Sequence, residues 1–376
     1  MKIKVSVSSW KSAVNKAKSL SGISSGNPNE SCVQINIKEG NSYLAILESG
    51  VHNTKINLTD IEIIREGSCY IQTKSLENLT KSLFSKELVV EFRDNKLIYE
   101  ADNYGSISEP IYYNPSPFHG MLFAPENYTL VEEGVTPFSK LLKNNLKPFL
   151  DKVGDNTSGI ISVILNKNNS IISGNISLVG GLIYSFNSEA QYSFAIKTTL
   201  IKSMLFLLED LETFKLEKGA TTIKLSSSKG ETILTVDKVK EANIKYLVES
   251  FSNKEDSIAV LKSEELINVT MWQSYGVKDG SCISIQSEEE KLLIKGDKTE
   301  EASSLNYSES SAFNYIKLPT DGLAKAVSIL PKDSVATLKT TITEIIEGPS
   351  VKSLLVIMEA EDYTSTAYLT EPAEMN

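Results

Sequence analysis

The side chains best suited to metal ligation or nucleophilic chemistry at neutral pH are few and scattered. There are two histidines, His52 and His119, and three cysteines, Cys32, Cys69 and Cys282. No two cysteines form a C-x-x-C pair, so neither a zinc site nor a disulfide framework is expected. Buried thiols in a reducing compartment are the simpler reading. No G-x-x-x-x-G-K-[ST] loop is present, and no G-x-G-x-x-G follows a strand and opens a helix. Gly180-Gly181 lacks the helix that would complete a phosphate cradle. G-x-S-x-G is absent as well. The abundant carboxylates read as a solvated acidic surface. The residues predict a protein that binds rather than reacts, with no cofactor and no metal.

A polyanion is the ligand they could bind. The chain carries 38 Lys+Arg against 48 Asp+Glu, a net charge of -10, which taken whole argues against a nucleic-acid binder. Position changes that reading. Helices predicted over 8–20, 74–85, 138–153, 197–210, 262–276 and 319–330 hold 13 basic and 7 acidic residues, so the helices are positive and the rest strongly negative. The lysines expected to face DNA are Lys11, Lys16, Lys18, Lys74, Lys81, Lys140, Lys143, Lys147, Lys197, Lys202 and Lys325. Lysine rather than arginine suits diffuse phosphate contact, which positions a duplex without reading bases. Lysine is also a good helix former, and surface helices often carry it. The last two helices are not basic on balance.

The elements that must position these lysines repeat. Residues 69–73 read as a strand, and Leu76, Leu79, Leu83 and Phe84 give 74–85 one apolar helical face. Two alternating strands follow, split by Arg93-Asp94-Asn95, which reads as a hairpin turn. The same order returns at Ser193 and at Asn314, and a related strand–helix–strands unit precedes each. Six such units in pairs predict an α+β fold with helices on one face of antiparallel sheets. Linker-like composition near 120–134, and a second break near 250–257, divide the chain into domains 1–125, 126–254 and 255–376.

Three repeats of about 120 residues, each holding two strand–helix–strands units, resemble the bacterial DNA polymerase III beta-subunit sliding clamp. The resemblance implies a head-to-tail homodimer whose three-domain chains form a ring around duplex DNA. It implies as partners a DNA polymerase and an ATP-dependent clamp loader. It also implies a hydrophobic groove for partner peptides. The family's T-D-G-H-R-L run matches Leu178-Val179-Gly180-Gly181-Leu182-Ile183, where a glycine and the final aliphatic character survive. The C-terminal wall matches Thr366 to Pro372, with Glu371 and Glu374 departing from the family pattern. The groove set is thus Ile160, Leu178, Gly180, Leu182, Ile183, Val248, Leu369 and Pro372. By position, Ile107 and Ile111 would meet Met271 and Trp272 of the second chain, with Trp272 either an interface anchor or core.

Residues 1–7 alternate like a strand and lack a signal peptide's apolar core, and no apolar run reaches membrane-spanning length, so a cytoplasmic protein is expected. Richness in Ser, Asn and Thr and short strands also fit a structural or adhesive repeat protein of a virion or surface. A hydrolase with an unrecognised carboxylate site is the third reading.

Overall fold

The computed structural model describes residues 1–21, 32–48, 52–81, 83–101, 104–111, 127–150, 159–177, 180–252, 258–275, 281–289, 291–308, 315–343 and 351–371. One element order occurs six times: a lead strand, a helical segment, then a three-strand meander. The first copy is β1 (Lys2–Ser6), α1 (Val7–Leu20), β2 (Cys32–Ile37), β3 (Tyr43–Glu48) and β4 (His52–Asn57), followed by an extra β5 (Ile61–Arg65). The second is β6 (Gly67–Gln72), α2 (Thr73–Lys81), β7 (Glu87–Arg93), β8 (Lys96–Ala101) and β9 (Gly105–Pro110). The third is β10 (Thr129–Glu133), α3 (Pro137–Asn145), β11 (Ile160–Leu165), β12 (Ser170–Ser177) and β13 (Gly180–Phe186). The fourth is β14 (Tyr192–Lys197), a broken helix containing α4 (Lys202–Leu205), then β15 (Lys215–Lys218), β16 (Thr222–Ser227) and β17 (Gly230–Thr235). After α5 (Glu241–Ser252) comes the fifth: β18 (Ile258–Lys262), α6 (Ser263–Gln273), β19 (Cys282–Glu288), β20 (Lys291–Gly296) and β21 (Ser303–Asn306). The sixth is β22 (Ile316–Pro319), α7 (Thr320–Ser328), β23 (Val335–Thr343), β24 (Val351–Glu359) and β25 (Tyr363–Thr370).

Adjacent copies interlock by exchanging lead strands. Each lead strand pairs antiparallel with the first meander strand of its neighbour: β1 with β7, β6 with β2, β10 with β15, β14 with β11, β18 with β23, and β22 with β19. The α+β fold with helices on antiparallel sheets is as the repeats predict.

The chain divides into two compact units, Met1–Lys143 with Thr199–Asp237, and Asn144–Thr198 with Lys238–Asn376. The first holds a five-stranded sheet, β5-β1-β7-β8-β9, and an eight-stranded sheet, β10-β15-β16-β17-β4-β3-β2-β6. The second holds an eight-stranded sheet, β14-β11-β12-β13-β25-β24-β23-β18, and a four-stranded sheet, β21-β20-β19-β22. Each eight-stranded sheet is joined at its middle by two last meander strands: β4 with β17, where Thr54 faces Thr232, and β13 with β25, where Ile183 faces Thr366. The Thr54 and Thr232 hydroxyls lie 3.1 Å apart. The other two last strands that could make this joint, β9 and β21, are sheet edges among the described residues.

Local chemistry sets the helices. The Ser6 hydroxyl caps α1 by accepting from the Ser9 N–H at 3.1 Å. Val7, Trp10, Ala13, Val14, Ala17 and Leu20 then recur on one buried face. Trp10 Nε1 donates to the Tyr99 hydroxyl at 2.7 Å inside that core. The Asp94-Asn95 turn, with φ of 52° and 57°, closes the predicted hairpin.

Three helical expectations are corrected. The segment expected as one helix over 197–210 is a 3-10 turn (Thr198–Ile201), α4 and a second 3-10 turn (Leu207–Glu209), with Lys197 on β14. Leu200, Ile201, Met204, Phe206, Leu207 and Leu208 are all buried, so the segment has no single apolar face to hold one regular helix. The helix expected to reach 153 stops at Asn145, before Pro148, whose ring cannot continue it. Helix α5 was not expected. Its Ile244, Leu247, Val248 and Phe251 pack on Ile164, Ile171, Ile183 and Leu355.

Candidate nucleic-acid interface and partner groove

The expected lysines lie mostly on helices, and several meet protein groups. Lys11 Nζ donates to the Leu83 carbonyl at 2.7 Å and sits 5.9 Å from the centre of the Phe84 ring. Lys16 pairs with Glu209 at 3.0 Å. Lys18 and Lys81 both reach Glu77 at 2.6 Å, tying α1 to α2. Hydrogen bonds from Lys18 and then Lys81 hold the Glu77 carboxyl below the usual carboxylate range. Lys74, Asn78 and Lys81 share an exposed face of α2, and Lys140, Lys143 and Asn144 an exposed face of α3. Lys202 on α4 and Lys197 at the end of β14 are exposed, and Lys325 on α7 is half-buried. Lys147 stands in a short 3-10 turn, and its side chain lies outside the described residues.

The exposed face of α6 differs in chemistry. It carries Glu264, Glu265, Asn268, Met271 and Trp272, with Tyr275 just beyond. Trp272 is 72% exposed and Met271 65%, so Trp272 is no part of the core. Ile107 is exposed on the edge strand β9, whereas Ile111 is buried and has no surface to offer a second chain.

The groove residues fall on both faces of one sheet. Ile183 packs in one cluster with Val248, and Tyr368 covers the same face. Leu182 and Leu369 are buried, and a side chain added at Gly322 of α7 would come within 3.1 Å of Leu369, so Leu369 points to the helical side. Gly180 and Gly181 let β13 press on β25: an added Cβ would come within 2.5 Å of the Tyr368 carbonyl at one and of the Tyr368 hydroxyl at the other. Ile160 is exposed on β11. Leu178 and Pro372 lie outside the described residues. The pattern of sequence could not foresee α5 covering the Ile183 face, because its partners lie on five different strands.

Among the described residues, no group of three or more His, Cys, Asp and Glu could hold a metal. Burial pushes the Cys69 thiol up to about 12 and raises Cys32 and Cys282. His52 is buried on β4, and His119 lies outside the described residues. No helix among the described residues is long and apolar enough to cross a membrane.

No protein-family model matches the sequence, and no curated protein matches it. Solved structures match over its whole length. The DNA polymerase sliding clamp of Bacillus subtilis superposes with a TM-score of 0.77 at 10% identity, covering 99% of both chains. The chain has the sliding-clamp fold. The DNA polymerase III beta subunit of Thermotoga maritima gives a TM-score of 0.76 at 13% identity, again over 99% of both. The Helicobacter pylori beta clamp bound to a DNA ligase peptide gives 0.72 at 14% identity, over 99% of this chain and 100% of that one. At such identities the likeness lies in the fold, which cores of different apolar side chains can share when volume and pattern persist.

Proposed function

We propose that this chain is a DNA polymerase processivity factor, a non-enzymatic clamp that encircles duplex DNA and tethers a replicative polymerase. The observation that carries the reading is the pair of open last strands. Within the chain, last strands join twice, β4 to β17 and β13 to β25, each linking an odd copy to the even copy three further on. The next joint in that series links β21 to β9 of another molecule. A head-to-tail contact of this kind makes a ring when its rotation closes. Two chains of three domains, 1–125, 126–254 and 255–376, then form a homodimer with the helical lysines toward the duplex.

By likeness to the Helicobacter pylori clamp with its ligase peptide, partner proteins dock by short peptides beside α5, where Ile160 is exposed and Val248 partly so, with Ile183 buried beneath the helix. A separate ATP-dependent loader opens the ring, and the protein works in the cytoplasm with no cofactor. The test is topological. Loaded on nicked circular DNA, the protein should stay through gel filtration and leave when one restriction cut linearises the circle. Equal retention on both forms would refute encirclement and favour a structural repeat protein.

A further inference from the structure

The two internal joints share one arrangement. Both internal joints bring the C-terminal end of an odd-copy helix beside the end of an even-copy helical segment. At the first, Lys16 of α1 pairs with Glu209, which ends the broken helix of copy four, at 3.0 Å. At the second, Asn144 and Asn145 of α3 line one cavity with Ser328 and Ile329 at the end of α7. The third joint would set the end of α6 beside the end of α2 of a second copy.

The equivalent positions can be counted. Lys16 and Trp272 are each the tenth residue of their helices. Glu209 and Phe84 each stand twelve residues beyond the end of their lead strands, at Lys197 and Gln72. Burial confirms the alignment of the helices: Trp10, Val14 and Ala17 correspond to Leu266, Thr270 and Gln273, and Leu76, Leu79 and Leu83 to Ile201, Met204 and Leu208, all buried. Phe84 is 81% exposed and Trp272 72%. Tyr104 and Ile107, at and just before β9, and Met271 and Tyr275, beside Trp272, are exposed too. These six are nearly half of the thirteen large apolar side chains exposed among the described residues, and all belong to the elements of the unmade joint.

We propose that a second copy of the chain docks here with Phe84 of one molecule against Trp272 of the other, an aromatic contact replacing the internal ion pair. The inference rests on the ring reading above. Aromatic anchors at a joint contribute through desolvation and ring packing, so closure should resist salt, whereas an exposed ion pair is screened.

Light scattering and sedimentation of the full chain test it at about 0.1 and about 1 M NaCl. The wild type should show twice its 41.4 kDa chain mass at both salts. Phe84→Ala and Trp272→Ala should each weaken self-association by about tenfold or more, with unchanged circular dichroism showing that both fold. The double variant Phe84→Glu/Trp272→Lys, which copies the Lys16–Glu209 pair, should dimerise at low salt and come apart at high salt. A wild-type dimer that dissociates in high salt, alanine variants as tight as wild type, or a double variant that stays monomeric at low salt overturns the aromatic joint and leaves the ring. A wild-type mass of 41.4 kDa at every concentration overturns the ring itself.

Discussion

At the scale of single residues, several candidate lysines are met by carboxylates far away in the chain: Lys16 by Glu209 and Lys18 by Glu77. The sequence marks Lys16, Lys18 and Lys81 as basic helix positions, but Glu209 stands 193 residues from Lys16 and no local pattern couples them. Trp272 shows the same limit: periodicity alone allowed core or surface, and only packing placed it outside. Ile111, by contrast, looked like its neighbour Ile107 and turned out buried. Glu77 deserves a direct test because it neutralises two candidate lysines at once. Its carboxyl is held low, so the stabilisation is complete above the ordinary carboxylate value of about 4.3 and is lost as pH falls through its lower native value. Glu77→Gln should therefore lower Tm slightly at pH 7, with the gap to wild type closing as the solution is acidified. Because it frees Lys18 and Lys81, the same variant should hold DNA more tightly and show a steeper salt dependence in a retention assay. A gap in Tm that widens in acid would contradict this account. The buried Gln273 is a purely structural counterpart: its side-chain oxygen accepts from the Gly296 N–H at 3.0 Å and its amide donates to the Ser303 hydroxyl at 2.7 Å. Gln273→Leu leaves those groups unsatisfied and should cost about 1–3 kcal/mol in urea unfolding.

At the scale of elements, strands with alternating apolar residues were legible, as were the helices α1, α2, α6 and α7. The register pairs Val33 with Ile46, Val163 with Ile172 and Ile285 with Ile294, as the alternation demands. Of the last meander strands, β4, β9, β13 and β21 were missed, and so was β15. His52–Asn57 and Lys215–Lys218 are short and polar, so hydrophobic period carries little signal there, and their strand character comes from neighbours that supply the hydrogen bonds. Among those unread strands are β4 and β13, each one side of an internal joint. Helix α5 was missed for another reason: it lies between repeats, where the repeat argument is silent. It is held at one end by Lys339, whose ammonium donates to the Phe251 carbonyl at 3.0 Å, where a cation suits a helix C-terminus. Phe251→Ala empties the centre of its packing on Ile183 and Leu355 and should cost about 3 kcal/mol. Hydrogen exchange should show the loss concentrated in Glu241–Ser252, and uniform exchange across the chain would contradict that packing role.

At the scale of the whole molecule, salt should act on two properties in opposite degree. Phosphate contact by lysines weakens steeply as counterions compete, while an aromatic joint does not. Charge reversal at Lys74, Lys143 and Lys202 should shorten retention on nicked circles at low salt and leave the dimer mass unchanged. A variant that lost both together would place those lysines at the joint rather than facing DNA. The repeat order and the fold were readable over the full length because six copies reinforce one weak pattern. The closing chemistry was not, since it depends on which strands are left without partners. Those strands also carry a lesson about descent. Removing copies three and four would leave β4 and β25, which both already make this kind of joint, free to make it with each other, while β9 and β21 stayed at the ends. Gene duplication or deletion can therefore change how many chains complete an assembly without inventing a contact, and the arithmetic of repeats per subunit is free to drift while the rule for joining them stays fixed.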